Sequence, residues 1–261
     1  MSVQDASQPA SEPARPAARL ELARVRRLAI VPALNEQSAI GGVVDEIRRF
    51  DPGMDVVVVD DGSSDRTGAV AAERGAFVLR LPFNVGIGGA MQTGYRFAFE
   101  RGYELAVQID GDGQHDPAEL TAILEPLLRG EADFVVGSRF AGAGGFRSSF
   151  LRRLGIRVFA LTVSAIAHQR LTDTTSGFRA VNRKGIALFA ADYPHDYPEV
   201  ESTVYAAKHR LRIAEVPVRM RERPWGRSSI TAFGSVYYMA KVLLALLVSV
   251  FRRNVAPLED R

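Results

Sequence analysis

The chain has no cysteine among its 261 residues. That excludes disulfides and thiolate-based zinc or redox sites, and it fits a reducing compartment. Histidine is scarce as well. His115, His168, His195 and His209 are the full set, and they share no metal-ligand spacing, so each reads as a surface or capping residue. Neither sign of charge is in large excess: 33 lysines and arginines face 30 aspartates and glutamates, a formal net charge of +3. For this length that is too little to argue for a nucleic-acid partner.

Several phosphate-binding and catalytic signatures are also missing. No G-x-x-x-x-G-K-[ST] occurs, which removes a P-loop. The first apolar run turns into Pro32-Ala-Leu-Asn-Glu36, and Gly86-Ile-Gly88-Gly89 lacks the dinucleotide spacing. Both facts argue against a nicotinamide enzyme. No Gly-x-Ser-x-Gly elbow marks a serine hydrolase. Counted from Asp110, the sixth and twelfth positions are His115 and Thr121, where an EF-hand needs glycine and glutamate.

What the chain does have is apolar content, 47% of its residues, enough for one large domain with a buried core. Residues 1–26 begin as a stretch of Ala, Pro, Ser and Gln without an apolar segment. They read as a disordered tail carrying no secretory signal. Residues 27–229 read as the folded domain, and 230–261 as an apolar C-terminal helix and tail. Arginines gather at Arg147–Arg157, and basic residues again at Lys208–Arg227. These are either solvated faces or a local field for phosphates or an anionic membrane.

Along the domain, short apolar runs alternate with helical patterns. Leu28–Val31, Val56–Val59, Phe77–Leu79, Leu105–Ile109 and Phe134–Val136 are predicted strands. Ser38–Phe50, a segment through Val70–Arg74, Ala90–Arg101 and Pro117–Leu128 are predicted helices. Farther on, helices are expected over about 150–168, 183–190 and 200–209. Asp173–Arg179 is expected as a loop or short strand, and Arg212–Val218 as a strand. The pattern predicts an α/β fold with a mostly parallel sheet covered on both faces.

In such sheets ligands bind beyond the carboxyl ends of the strands. Two acidic clusters fall there, Asp60-Asp61 and Asp110-Gly111-Asp112, on strands expected to be neighbours. Paired carboxylates at a strand end suit Mg²⁺ or Mn²⁺, hard cations that share oxygen ligands with substrate phosphates. Gln114, two residues on, adds an amide oxygen. Carboxylates and glycines at strand ends are also ordinary turn formers, but two such clusters favour a site.

The segment Val236–Phe251 is almost wholly apolar, broken by Lys241 and followed by Arg252-Arg253. Its uninterrupted part is shorter than the roughly 20 residues a bilayer span needs. An interfacial helix, or one that docks on a membrane partner, is the preferred reading. A core helix and a true span are the alternatives.

Taken in order, Val31-Pro-Ala-Leu-Asn-Glu36, Val58-Val-Asp-Asp-Gly-Ser-Ser-Asp-Arg-Thr67, Asn84-Val-Gly-Ile-Gly-Gly-Ala90 and Gln108-Ile-Asp-Gly-Asp-Gly-Gln-His115 resemble family 2 glycosyltransferases. Val136-Gly-Ser-Arg139, Thr175-Ser-Gly-Phe-Arg179 and Glu215-Val-Pro217 resemble the dolichyl- and polyprenyl-phosphate mannosyl- or glucosyltransferase branch. The Gln-x-x-Arg-Trp motif of processive synthases is absent; the one tryptophan is Trp225.

The resemblance implies a GT-A fold and metal-dependent inverting transfer from a UDP- or GDP-sugar to polyprenyl phosphate at the cytoplasmic membrane face. It implies that Pro32, Asn35, Glu36, Asp60 and Asp61 hold base and ribose, with Asn84 and Gly88 lining the donor site. Asp110, Asp112 and Gln114 would hold the metal. Arg139 and Arg153 (or Arg152) would bind the acceptor phosphate, with Arg179 and Arg223 as further phosphate contacts. A hydroxyl acceptor would instead need a base, for which Asp196, Glu199 and Glu201 are candidates. A small integral membrane protein is an expected partner. A non-catalytic nucleotide-sugar-binding subunit is a further alternative, disfavoured by the intact Asp110/Asp112 pair.

Overall fold

The computed structural model describes residues 24–139, 161, 163–164, 171–221, 241 and 256–259. Arg152, Arg153, Arg223, nearly all of the expected 150–168 helix and all but a few residues of the C-terminal segment therefore lie outside the described residues.

Strand β1 (Arg27–Ala33) is buried along its whole length. It pairs in parallel with β2 (Asp55–Asp60) on one side and β4 (Leu105–Gln108) on the other. β3 (Phe77–Arg80) extends the β2 edge in parallel. Beyond β4 comes β6 (Arg179–Asn182), antiparallel to both β4 and β5 (Phe134–Ser138). β7 (Ile213–Pro217) closes that edge, parallel to β5. The order is β3-β2-β1-β4-β6-β5-β7.

Alternate residues of each strand feed opposite faces. Leu28 and Ile30 join Val57, Val59, Met91, Tyr95 and Phe134 in one core. Ala29 and Val31 join Val56, Val58, Ile40, Val44 and Ile47 in the other. Helix α1 (Ile40–Phe50) covers the second face with Ile40, Val43, Val44 and Ile47, the helical spacing seen in the sequence. Helix α2 (Thr67–Glu73) follows β2. Helix α3 (Gly86–Glu100) belongs to the first face and buries Met91 and Tyr95. Helix α4 (Leu120–Leu128) follows a 3-10 turn at Pro117–Glu119. Helices α5 (Arg183–Ala191) and α6 (Pro198–Lys208) complete the described set. Among the described residues no helix is long and apolar enough to cross a membrane.

The structure departs from the sequence reading in three places. First, α3 starts at Gly86, not near Ala90. The amides at its start are held by Asp61, distant in sequence, as well as by the neighbouring Asn84, so local propensity underrates this start. Second, Arg179–Asn182 is a full strand. Its four residues carry little strand pattern, but β4 and β5 flank it in register, with Leu105 opposite Asn182 and Phe134 opposite Val181. Third, the two acidic clusters are not on neighbouring strands, because β1 runs between β2 and β4.

Candidate active site

Because β1, β2, β4, β5 and β7 all run one way, their carboxyl ends share one edge of the sheet. The antiparallel β6 brings its amino end, and the loop before it, to that same edge. The loops after β1 and β2 are stitched together there. Asn35 takes a left-handed backbone, φ 56°, which asparagine tolerates better than most residues. Its N–H donates to Ser63 Oγ (2.9 Å), and its Oδ1 accepts from Ser64 N–H (2.9 Å). Glu36 N–H donates to Thr67 Oγ1 at 2.8 Å. Pro32 and Asp60 lie inside this junction, and Ala33 is in register with Asp60.

Asp60 and Asp61 are both buried, and both carboxylates serve the loop architecture. Asp60 Oδ1 accepts Ser63 N–H at 2.9 Å. Asp61 Oδ1 and Oδ2 accept the amides of Val85 (2.8 Å) and Gly86 (3.0 Å). A carboxylate at a helix N-terminus satisfies orphan amides and complements the helix dipole. Asn84 Oδ1 accepts the Gly86 amide too, at 2.8 Å. Two turns' worth of chemistry thus fixes Asn84–Gly88 against the end of β2. Gly88 is buried against another loop; a Cβ there would lie 2.3 Å from Pro194 O.

Asp110, Gly111 and Asp112 follow β4 directly. A Cβ on Gly111 would sit 3.1 Å from Pro32 O, so this loop lies beside the end of β1. Asp112 Oδ1 accepts Gln114 N–H at 3.0 Å, which curls the loop. The Asp110 side chain is about one-third exposed (34%) and borders His115, whose Nε2 is 3.4 Å from Asp110 Oδ2. Among the described residues no three histidine or acidic side chains form a ready-made metal cage. Two carboxylates and an amide oxygen are still a fitting donor set for a hard cation that keeps waters and takes further oxygens from a diphosphate.

Across the site stands the 171–179 loop. Asp173 is fully buried. Arg139, just past β5, meets it in a bidentate pair and also donates to Thr175 Oγ1 at 2.7 Å. Glu215 of β7 accepts the amides of Thr172 (2.9 and 2.8 Å) and Asp173 (2.8 Å). Arg179 is 1% exposed. Its guanidinium donates to the carbonyls of Ser176 (2.6 Å) and Thr174 (2.9 Å) and to Ser202 Oγ. Arg179 therefore supports the loop from beneath, from its buried place at the start of an interior strand. Gly177 carries the loop over the Asp110 carboxylate: a Cβ there would be 3.2 Å from Asp110 Oδ2.

The three candidate bases separate. Asp196 is exposed. Glu201, inside α6, accepts the Tyr197 amide at 3.0 Å. Glu199 lies in the first turn of α6. Burial raises its carboxyl above the ordinary value; Arg179 opposes this and Asp110 adds to it. Sequence reasoning passed over His115, Asp173 and Glu215 as site-building residues. Their only signal was place: His115 ends the Asp-Gly-Asp motif, and Asp173 and Glu215 lie in or beside motifs already singled out.

Three comparisons bear on this arrangement. The profile of the family described as Glycosyl transferase family 2 matches residues 28–189. Polyprenol monophosphomannose synthase from Mycolicibacterium smegmatis is 32% identical over 227 residues, covering 83% of this chain and 85% of its own. Undecaprenyl-phosphate mannosyltransferase from Micrococcus luteus is 34% identical over 216 residues, covering 79% and 88%. Among solved structures, glucosyl-3-phosphoglycerate synthase from Mycobacterium tuberculosis, in complex with Mn²⁺, UDP and glucosyl-3-phosphoglycerate, matches with a TM-score of 0.68. That match has 22% identity and covers 92% of this chain and 86% of that one; it establishes the shared GT-A fold. With its motifs on one sheet edge and the family profile matching most of the domain, the chain belongs to glycosyl transferase family 2 and is a glycosyltransferase.

Proposed function

We propose that this glycosyltransferase moves a sugar, with inversion, from a nucleotide-sugar to a polyprenyl phosphate, using Mg²⁺ or Mn²⁺. The observation that carries the reading is the meeting of Asp110 and Asp112 with the ends of β1 and β2 and the 171–179 loop at one sheet edge. The acceptor class is supported by the two mannosyltransferases named above, whose names specify polyprenol and undecaprenyl phosphate chemistry. Cation use is supported by the donor set and by the Mn²⁺ and UDP bound to the structural neighbour.

Pro32, Asn35 and Glu36 would face the base and ribose, with Asp60 and Asp61 holding the walls of that pocket. Asn84, just before α3, and Gly88, in its first turn, would line it. Asp110, Asp112 and Gln114 would hold the cation, which supplies charge neutralisation for the departing diphosphate. A lipid-phosphate oxygen is anionic at neutral pH, so attack at the anomeric carbon needs no strong base. The remaining work is orientation and electrostatic stabilisation. Arg139 anchors the loop over Asp110, and with Arg153 (or Arg152) it is proposed to meet the acceptor phosphate, Arg179 and Arg223 being further candidate contacts; a guanidinium fork suits oxygen pairs. The apolar C-terminal segment would hold the enzyme at the cytoplasmic membrane surface, directly or through a small membrane protein.

One observation favours a second reading. Burial, with the Asp110 charge adding to it, raises the Glu199 carboxyl, the property of a base for a hydroxyl acceptor. Release of nucleoside diphosphate by the purified chain separates the two. A panel of GDP- and UDP-sugars is crossed with polyprenyl phosphate and with saccharides, with Asp112→Ala as control. Turnover that needs lipid phosphate and vanishes in the variant is the expected result. Turnover only with a saccharide would sink the lipid-phosphate reading.

A further inference from the structure

We infer that His115 is a positioning residue that fixes the direction of the Asp110 carboxylate and thereby sets the affinity of the site for a divalent cation. The inference rests on the reading of Asp110 and Asp112 as cation ligands.

His115 is 4% exposed, so it is not the surface histidine its isolation in the sequence suggested. Its ring stacks on Phe178, centroids 5.0 Å apart with 16° between planes. Its backbone bridges to Met220 in the segment leaving β7. Ring and backbone are both held. Nδ1 accepts the Asp110 backbone N–H at 3.0 Å. An accepting nitrogen carries no proton, so the ring proton sits on Nε2. That nitrogen is the one facing Asp110 Oδ2, at 3.4 Å.

The two ends of one imidazole therefore address the same residue, one hydrogen-bonded to its backbone and one facing its carboxylate. The second contact is long for a hydrogen bond, so it steers the carboxylate and leaves lone pairs for another ligand. The Ser176–Gly177 chain closes the box. A Cβ on Gly177 would lie 3.2 Å from Asp110 Oδ2 and 3.3 Å from His115 Cε1. Between the ring and this backbone the carboxylate has few directions left, and one-third of the Asp110 side chain remains open (34%). Partners that orient a ligating carboxylate typically account for about 10–100-fold in metal affinity.

A ring that merely held the Asp110 amide would be replaceable by any acceptor at the Nδ1 position, and that is the point to test. In His115→Asn the amide oxygen can take over from Nδ1, but nothing reaches Oδ2. In His115→Gln the amide N–H reaches toward Oδ2. Mn²⁺ alone is titrated into the full chain and its free-ion EPR signal is followed, with melting temperature read beside it. The expected result is Mn²⁺ binding weakened about tenfold in His115→Asn at a near wild-type melting temperature, with most of the loss regained in His115→Gln. A folded His115→Asn chain binding as tightly as wild type overturns the inference. If His115→Asn fails to fold, His115→Gln is compared with His115→Met, and equal affinities overturn it. A wild-type chain that binds no Mn²⁺ removes the cation reading itself, and this inference with it.

Discussion

Arg139 holds Asp173 with two hydrogen bonds, Nε to Oδ2 at 2.8 Å and Nη2 to Oδ1 at 2.9 Å, and adds its backbone N–H to Oδ2 at 3.1 Å. Asp173 is wholly buried. Removing the arginine would leave a carboxylate in the interior without its cation. Arg139→Ala is therefore expected to cost about 3–5 kcal/mol of stability, measured by urea unfolding. A loss below about 1 kcal/mol would mean that the loop over Asp110 does not depend on this pair.

Acid should loosen the same framework. Burial pushes the Asp173 carboxyl up, but the bonds and charge of Arg139 outweigh it and the net shift is downward. Hydrogen bonds from the Arg212 side chain hold Asp133 well below the usual carboxylate range. Both groups titrate lower in the folded chain than in the unfolded one. Their stabilisation is complete above the unfolded value of about 4 and is lost as pH falls through the folded values. Asp133→Asn should thus lose less stability than wild type between about pH 4 and pH 2. Parallel pH profiles would place the acid sensitivity elsewhere.

Gly88 packs α3 against the loop before α6, where an added Cβ would lie 2.3 Å from Pro194 O and 2.5 Å from His195 Cα. Both are backbone atoms and cannot swing aside. Gly88→Ala is expected to destabilise the chain by about 1–3 kcal/mol. It should also raise KM for the nucleotide-sugar, because the start of α3 must shift. Calorimetry and steady-state kinetics check the two effects; an unchanged KM would remove Gly88 from the donor site.

Glu199→Gln distinguishes the two acceptor chemistries. With a lipid phosphate as nucleophile, no proton has to be removed by the protein, and kcat should fall less than about tenfold. A fall of about 100-fold or more in kcat, with KM preserved, would identify Glu199 as a base and favour the hydroxyl acceptor.

Much of the fold was legible because its strands are short, apolar and bounded by turns. Val56–Val59 and Leu28–Val31 are buried where the run itself says so. The Arg179–Asn182 strand was not legible. It is held by hydrogen bonds from β4 and β5, and a local pattern does not record its neighbours. The start of α3 was missed for a related reason: the carboxylate that caps it, Asp61, lies 24 residues before Val85.

The candidate site divides in the same way. The sequence by itself determined that carboxylates stand at the ends of two strands and that no P-loop or dinucleotide turn competes with them. Strand ends and turn residues are local matters, written in consecutive side chains. The tertiary structure alone decided the rest. It placed β1 between the two acidic clusters and committed Asp61 to a helix cap. It also sank Arg179 beneath the loop and turned His115 inward onto Asp110. Each of these depends on which buried polar group finds which partner, and buried groups must be satisfied by whatever the fold brings near them, however distant in the chain.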